Sequence, residues 1–398
     1  MVKILVLASR FPYPLEKGDK LRIFHAIRLL SLDNEIHLAY ISEREISQDL
    51  LSQIKPYIQS SLFISISWTK RLLLGLRHSI GDDLPLQVAW TNDEYYKRKL
   101  QDYASKIQPD VVFCQLIRMA EYARYLNIPK VIDYMDAFSI SMTKRSKVAS
   151  FPLNFFYSRE SKLLAKYEFK VRRWFDCYIT ISDLDALSLG LKNNQAHMVI
   201  PNGVDADYFK IKEPLKMPSF DLGFVGNLSY LPNIQAVEYL HKNIFQRDKG
   251  FKILVSGAQP SNRIKKLKEK NFVIRGWVDD IRKSYSEICI FVAPIFAGTG
   301  QQNKILEAMS LEIPCITTTA VNKAIGAKNG DNILIADTPN QFLEKINLIK
   351  SDPLRAKTLG RNGRKFVLNH FTWLNHVQLL KKSFNKAIYE HSRKKDSV

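Results

Sequence analysis

Short apolar runs alternate with amphipathic stretches along the whole chain. In the first half the strand-like runs are 3–9 (KILVLAS), 35–42 (EIHLAYIS), 61–67, 110–115, 130–136 and 177–182. In the second half they are 221–227, 251–258, 271–277, 288–295, 314–319 and 332–337. Continuously apolar strands separated by helical segments predict parallel sheets covered on both faces. The series restarts near residue 220, after a turn-rich stretch at 200–220 (IPNGVDADYFKIKEPLKMPSF) that suits a linker. The pattern therefore predicts an α/β chain of two tandem, doubly wound, Rossmann-like domains, with ligands in a cleft between the carboxyl ends of their strands. The expected domains are 1–200, 201–372 and a C-terminal helix, 373–398, packing back on the first.

Composition narrows the classes. A chain of 398 residues, 46% hydrophobic and 25% charged, is long enough for two ordinary cores. No apolar run approaches the roughly 18–20 residues of a membrane span. The start, MVKILVLASRFPYP, lacks the longer apolar core and cleavage site of a signal peptide. Cys114, Cys177, Cys289 and Cys315 show no paired spacing and read as free buried thiols in a reducing cytoplasm. The eight histidines form no close metal-like pair.

The net charge of +20 calls for an anionic partner: nucleic acid, lipid head groups or a polyanionic substrate. Segments 68–78 and 161–174 interleave Lys and Arg with Leu, Phe and Trp, which fits peripheral contact with an anionic membrane. A solvated basic helix face is the plain alternative for either segment.

Four glycine-bearing loops carry the candidate chemistry. In 298–309 (GTGQQNKILEAM), Gly298 and Gly300 would let a ligand approach the main chain, and a helix starting near Gln301 would turn its positive end toward phosphate. Gly300, Asn303 and Glu307 would share one helical face, with Glu307 roughly 10 Å along the axis from Gly300, a span that suits a nucleoside diphosphate. Ile305, Leu306 and Met309 would cover the core side. In 9–30 (SRFPYPLEKGDKLRIFHAIRLL), Gly18 precedes a helix, Asp19 is a candidate N-cap, and Lys20 and Arg22 supply charge. In 224–233 (FVGNLSYLPN), Gly226 and Asn227 end a strand and Asn233 is a candidate cap. In 274–280 (IRGWVDD), Gly276 and Trp277 end another. Each loop alone also reads as ordinary strand–turn–helix punctuation.

Together, PNGVDADYF (201–209), FVGN, GWVDD and NKILEAMSLEIPCI (303–316) resemble the family 4 glycosyltransferases, retaining enzymes of the GT-B fold. RFPYPLEKGDKLRIFH, VIDYMDAFS, FVGNLSYLPN and QNKILEAM look like the branch associated with exosortase-linked bacterial surface polysaccharides. The resemblance spans nearly the whole chain. It implies that Glu307 holds the donor ribose hydroxyls and that Gly18, with Asp19 and Lys20, lies near the donor phosphates and sugar. It further implies that Gly276 and Trp277 border the base, and that Gly300, Gln302, Asn303 and Lys304 meet the diphosphate and sugar, with Gly226, Asn227, Gly298 and Thr299 completing the donor site.

Three positions depart from the family pattern. Thr299 stands where the family places a first glutamate, Asn227 and Pro232 stand where many members carry an Arg/Lys clamp, and Gln115 stands where a cleft histidine is frequent. With fewer cations at the clamp, Lys304, or Lys20 or Arg22, with the helix dipole must meet the leaving-group charge. The catalytic candidates are thus Lys304, Asp136 and Gln115, with Asp133 competing with Asp136 to orient the acceptor.

The implied reaction moves a sugar from a nucleotide-diphosphate donor, UDP ahead of GDP, to a glycan or lipid-linked acceptor at the inner face of the cytoplasmic membrane. No cofactor or metal is implied, since no D-x-D stands at a strand end in the cleft elements, and no nucleic acid is expected as a partner. Rival readings are an epimerase of the same fold, a basic nucleic-acid-binding protein and a nicotinamide dehydrogenase. The last lacks G-x-G-x-x-G after either first strand.

Overall fold

The computed structural model describes residues 1–81, 84–205, 207–209, 218–296 and 300–396. The chain divides into two compact units. The first comprises Met1–Pro201 and His376–Val398, and the second Asn202–Asn375.

The first unit holds seven strands: β1 (Lys3–Ala8), β2 (Glu35–Ser42), β3 (Ser60–Ser65), β4 (Val111–Gln115), β5 (Lys130–Met135), β6 (Cys177–Thr180) and β7 (His197–Val199). They form one parallel sheet in the order β3-β2-β1-β4-β5-β6-β7. Along β1, Ile4, Val6 and Ala8 enter one core cluster while Leu5 and Leu7 enter another. A strand covered on both faces therefore reads as an unbroken apolar run. The sequence pattern anticipates six of these strands; β7 is three residues of half-buried edge with no apolar run to mark it.

The second unit adds β8 (Phe220–Val225), β9 (Ile253–Ser256), β10 (Phe272–Arg275), β11 (Ile288–Ala293), β12 (Cys315–Thr317) and β13 (Leu334–Ile335). All six match anticipated runs, and they form a parallel sheet in the order β10-β9-β8-β11-β12-β13. In each sheet the order reverses beside the first strand, between β1 and β4 and between β8 and β11. Such a switch point opens a crevice at the carboxyl ends of the strands.

The last helix, Trp373–Asp396, begins in the second unit and continues in the first. There Val377, Leu380, Phe384 and Ala387 recur at helical spacing and pack on the β1-side core, Phe384 meeting Phe113 at 5.7 Å between ring centroids.

Several expectations change. The 200–220 stretch is not a free linker at its start: Val204 donates its N–H to Phe371 O (2.7 Å) inside the second unit. Asp19 is not an N-cap, because the helix Gly18–Leu30 begins after Lys17 and Asp19 pairs instead with Arg10 (3.1 Å). Asn233 lies inside the helix Leu231–Leu240, where its Nδ2 donates to Asn227 O (2.7 Å). Cys289 is exposed, not buried, because Ile288 and Ile290 point into the core and alternation turns Cys289 outward. In 161–174 the apolar residues Leu163, Leu164, Tyr167 and Val171 face the core.

Two predicted charges are also reassigned. Arg22 is 1% exposed and Asp133 is 0% exposed, with Arg22 Nε donating to Asp133 Oδ2 at 2.6 Å. Asp133 Oδ1 also accepts from Met135 N (3.1 Å). Both charges lie inside the first unit, so neither Arg22 nor Asp133 is presented to a ligand. Removing one partner leaves the other charge uncompensated. Asp133→Ala is expected to lower stability by about 3 kcal/mol or more, read as a drop in the urea unfolding midpoint.

Candidate functional site

In the second unit the site grows from the ends of β8, β9 and β11. Thr317 Oγ1 donates to Ala293 O (2.9 Å) and Thr318 Oγ1 to Ile295 O (2.6 Å), which fixes where β11 ends. Gly226 and Gly257 let the ends of β8 and β9 touch. A Cβ on Gly257, whose φ is +148°, would stand 1.7 Å from Gly226 O. One on Gly226 would meet Lys304 Cε at 3.1 Å. The ammonium-bearing chain of Lys304 therefore runs directly over the end of β8.

The helix after β11 is Asn303–Ser310, with Gln302 as N-cap and no side-chain cap, so its first turn keeps its positive end for a ligand. Ile305, Leu306 and Met309 are buried beneath it, as their spacing requires. Gly300 lies outside the helix, at φ 97°, so the helical span reckoned from Gly300 to Glu307 holds only from Asn303 onward. Gly298 and Thr299 lie outside the described residues.

Lys304 and Glu307 sit one turn apart. Lys304 Nζ donates to Gln302 Oε1 (2.6 Å) and lies 5.9 Å from the centre of the Phe224 ring. Burial pulls the Lys304 ammonium down to about 8, against the opposing charge of Glu307. Burial pushes the Glu307 carboxyl up, while the Tyr285 hydrogen bond and the Lys304 charge pull the other way. Tyr285 OH donates to Glu307 Oε2 at 2.8 Å and lies 3.1 Å from Lys304 O.

Tyr285 is a residue the sequence did not reveal. It is fully buried on the short helix Ile281–Ser286, and a tyrosine there carries no motif. Gln301 is another: its side chain both accepts from Asn202 N and donates to Asn202 O, each at 2.8 Å, tying the site loop to the start of the unit. The buried Oδ1 atoms of Asn233 and Asn303 find no hydrogen-bond partner among the described residues. Buried acceptors of this kind call for a donor that the described side chains do not supply.

Asn227 is exposed and accepts from Ser229 N and Oγ, holding its turn. Pro232 opens the helix Leu231–Leu240, where a fixed φ suits the first turn. Gly276 follows β10, with open space where a side chain would project, and Trp277 is 72% exposed. Asp280 caps the next helix and joins Tyr208 OH (3.1 Å) and Arg282, so GWVDD and DYF are physically linked.

In the first unit, β1, β4 and β5 end around a cavity of about 920 Å³. Lys17, Lys20 and Asp136 line it, and Lys20 Nζ reaches Tyr13 O and Glu16 at 3.4 and 3.5 Å. A Cβ on Gly18 would touch nothing within 4 Å, so packing does not demand glycine there. Gln115 is 1% exposed, its Nε2 donating to Asp19 O (2.7 Å), which makes it a positioning contact for the helix Gly18–Leu30. The Asp136 side chain is exposed to the cavity, and its protein surroundings, then the Asp185 charge, push its carboxyl up to about 6. Among the described residues no group of three or more His, Cys, Asp or Glu gathers as a metal site.

Residues 219–352 match the family model described as "Glycosyl transferases group 1". The chain is a glycosyltransferase. A capsular polysaccharide biosynthesis glycosyltransferase of Staphylococcus aureus, CapM, is 29% identical over 163 residues, covering 39% of this chain and 43% of its own. An uncharacterized 44.6 kDa protein in the cps region of Klebsiella pneumoniae is 22% identical over 93% of this chain and 97% of its own. Among solved structures, Anabaena HepE in complex with UDP and glucose superposes with a TM-score of 0.67 at 15% identity, covering 97% of this chain and all of its own. That likeness shows the GT-B fold of the enzyme.

Because Glu307 keeps its place through one buried hydroxyl, Tyr285→Phe is expected to cost about 1–3 kcal/mol and to raise the Glu307 pKa further. Thermal unfolding and an NMR titration of the glutamate carboxyls read the two effects.

Proposed function

We propose that the enzyme is a retaining, family 4 hexosyltransferase that moves a sugar from a UDP-linked donor to a glycan or lipid-linked acceptor in bacterial surface-polysaccharide synthesis. The observation that carries this reading is the Lys304–Glu307–Tyr285 cluster beside the uncapped start of helix Asn303–Ser310, at the β8/β11 switch point. The capsule-related relative and the UDP-bound structural neighbour support it. The exosortase-linked branch of the family rests on the sequence resemblance.

Each group has a task in this reading. Tyr285 holds Oε2 of Glu307 and leaves Oε1 to the ribose hydroxyls. The Lys304 ammonium and the helix start take up the charge on the departing diphosphate. The bond from the anomeric carbon to the phosphate oxygen breaks with its electron pair on the diphosphate. The acceptor oxygen bonds to that carbon on the same face, and its proton passes to the leaving phosphate. The protein then supplies position and electrostatics rather than a separate base. Gly276 and Trp277 border the base, and Asp136 orients the acceptor in the first unit. The enzyme works at the inner face of the cytoplasmic membrane, with basic segments 68–78 and 161–174 toward anionic lipid.

Glu307→Gln is expected to weaken UDP binding about tenfold, roughly 1.4 kcal/mol, in calorimetric titration. Unchanged affinity would overturn the ribose assignment. Because the Lys304 ammonium loses its proton near pH 8, UDP affinity should fall as pH rises through that value. In Lys304→Met the affinity should be lower and flat across the same range, measured by the same titration.

A further inference from the structure

The cavity of the first unit is lined by arginines and by apolar side chains together. Arg10, Arg71, Arg118 and Arg145 line it. Arg71 Nε is buried and finds no hydrogen-bond partner among the described residues. Arg118 donates to Gln87 Oε1 (2.7 Å) and packs over Phe138 at 5.0 Å. Its guanidinium is pulled down to about 10 by burial and then by Arg10, against the opposing charge of Asp19, with Arg71 adding a smaller repulsion. Arg10 is paired with Asp19 at 3.1 Å, so Arg71 and Arg118, with no carboxylate partner among the described residues, form the site for an anion with several acceptor oxygens. Of the cavity's three carboxylates, Glu160 accepts from Leu86 N at 2.9 Å, while Glu43 and Asp136 stand beyond the ends of β2 and β5.

The elements that wall this cavity also carry the exposed apolar surface of the unit. The helix Trp68–Gly81 supplies Arg71 to the cavity and exposes Trp68, Leu72, Leu73 and Leu76 on its outside. Leu74 faces the core, and Gly75 lies against the Trp90 ring. The helices Phe138–Val148 and Leu153–Val171 form a hairpin whose tip exposes Phe151 (85%) and Phe155 (72%). Phe156, next along, is partly exposed and also lines the cavity. Lys144, Arg145, Lys147, Arg159 and Lys162 surround the tip and are exposed. Aromatic residues at an apolar tip, collared by cations, match the interface of an anionic bilayer. A second copy of this basic chain would bring like charges together.

We propose that the cavity holds the phosphate of a membrane-borne anionic lipid acceptor, with the hairpin tip and the Trp68–Gly81 helix seating the first unit on the bilayer. The proposal deepens the transferase reading and rests on it only for the word acceptor; the lipid phosphate is bound whether or not a sugar is transferred. The apolar contact thus falls at the 148–156 tip, and segment 161–174 contributes its exposed cations.

The test is flotation of the full chain with three vesicle types: phosphatidylcholine alone, with phosphatidylserine, and with phosphatidic acid. Wild type should partition most onto phosphatidic acid, about tenfold above neutral vesicles, and inorganic diphosphate should compete. Phe151→Ser/Phe155→Ser should lose binding to both anionic vesicles. Arg71→Gln/Arg118→Gln should keep binding to phosphatidylserine but lose the preference for phosphatidic acid. Arg145→Gln, at the exposed rim, should lose part of that preference with less risk to folding. Equal partitioning of wild type on all vesicles overturns the proposal, as does an unaltered tip variant. Equal binding to the two anionic lipids removes the phosphate site. Self-association without vesicles that the tip variant abolishes assigns the surface to a second copy and also overturns it. UDP-induced thermal shift is read in parallel. Lipid binding without a UDP shift would sink the donor reading and leave this one standing.

Discussion

A parallel strand buried on both faces has no side of its own for a polar group, and that constraint organises the whole chain. Chemistry is pushed past the carboxyl ends of β1, β4 and β5 in one unit and of β8, β9 and β11 in the other. Asp133 is a charged exception that shows the rule. It sits within β5 at no exposure and is tolerated because Arg22, itself buried, reaches it at 2.6 Å.

The second unit uses the same constraint to build a small electrostatic device. Glycines at 226 and 257 bring strand ends within backbone contact, and the space gained is filled by Lys304. Burial weakens the hold of Lys304 on its proton and raises the carboxyl of Glu307, so both groups are poised rather than locked. Tyr285 fixes the carboxylate from below. A diphosphate entering such a site supplies the negative charge that Lys304 otherwise lacks, at a helix start already disposed toward anions.

The first unit separates its charges differently. Guanidiniums gather inside a cavity while apolar side chains stand outside on the same helices, so one element has both a polar wall and an apolar surface. Segment 68–78 shows both faces in sequence, because Trp68, Leu72, Leu73 and Leu76 follow helical spacing. Segment 161–174 shows how the same composition misleads: its leucines belong to the core, and its cations, Ala165 and Phe169 look outward.

Strand order along the chain, the two-unit α/β architecture and the buried face of helix Asn303–Ser310 were all legible in the sequence. Each follows from local periodicity, which burial on two faces or on one stripe imposes directly. Gly226, Lys304 and Glu307 were legible as candidates because glycine turns and helix starts leave a local trace. The partners that give them their properties were not. Tyr285 beneath Glu307, Gln301 on Asn202, Arg22 on Asp133 and Gln115 on Asp19 join residues between 22 and 111 positions apart. No spacing rule connects such pairs. Only the packing of the sheets decides which polar atoms are buried together, and burial decides which charges are spent on the fold and which remain for a ligand.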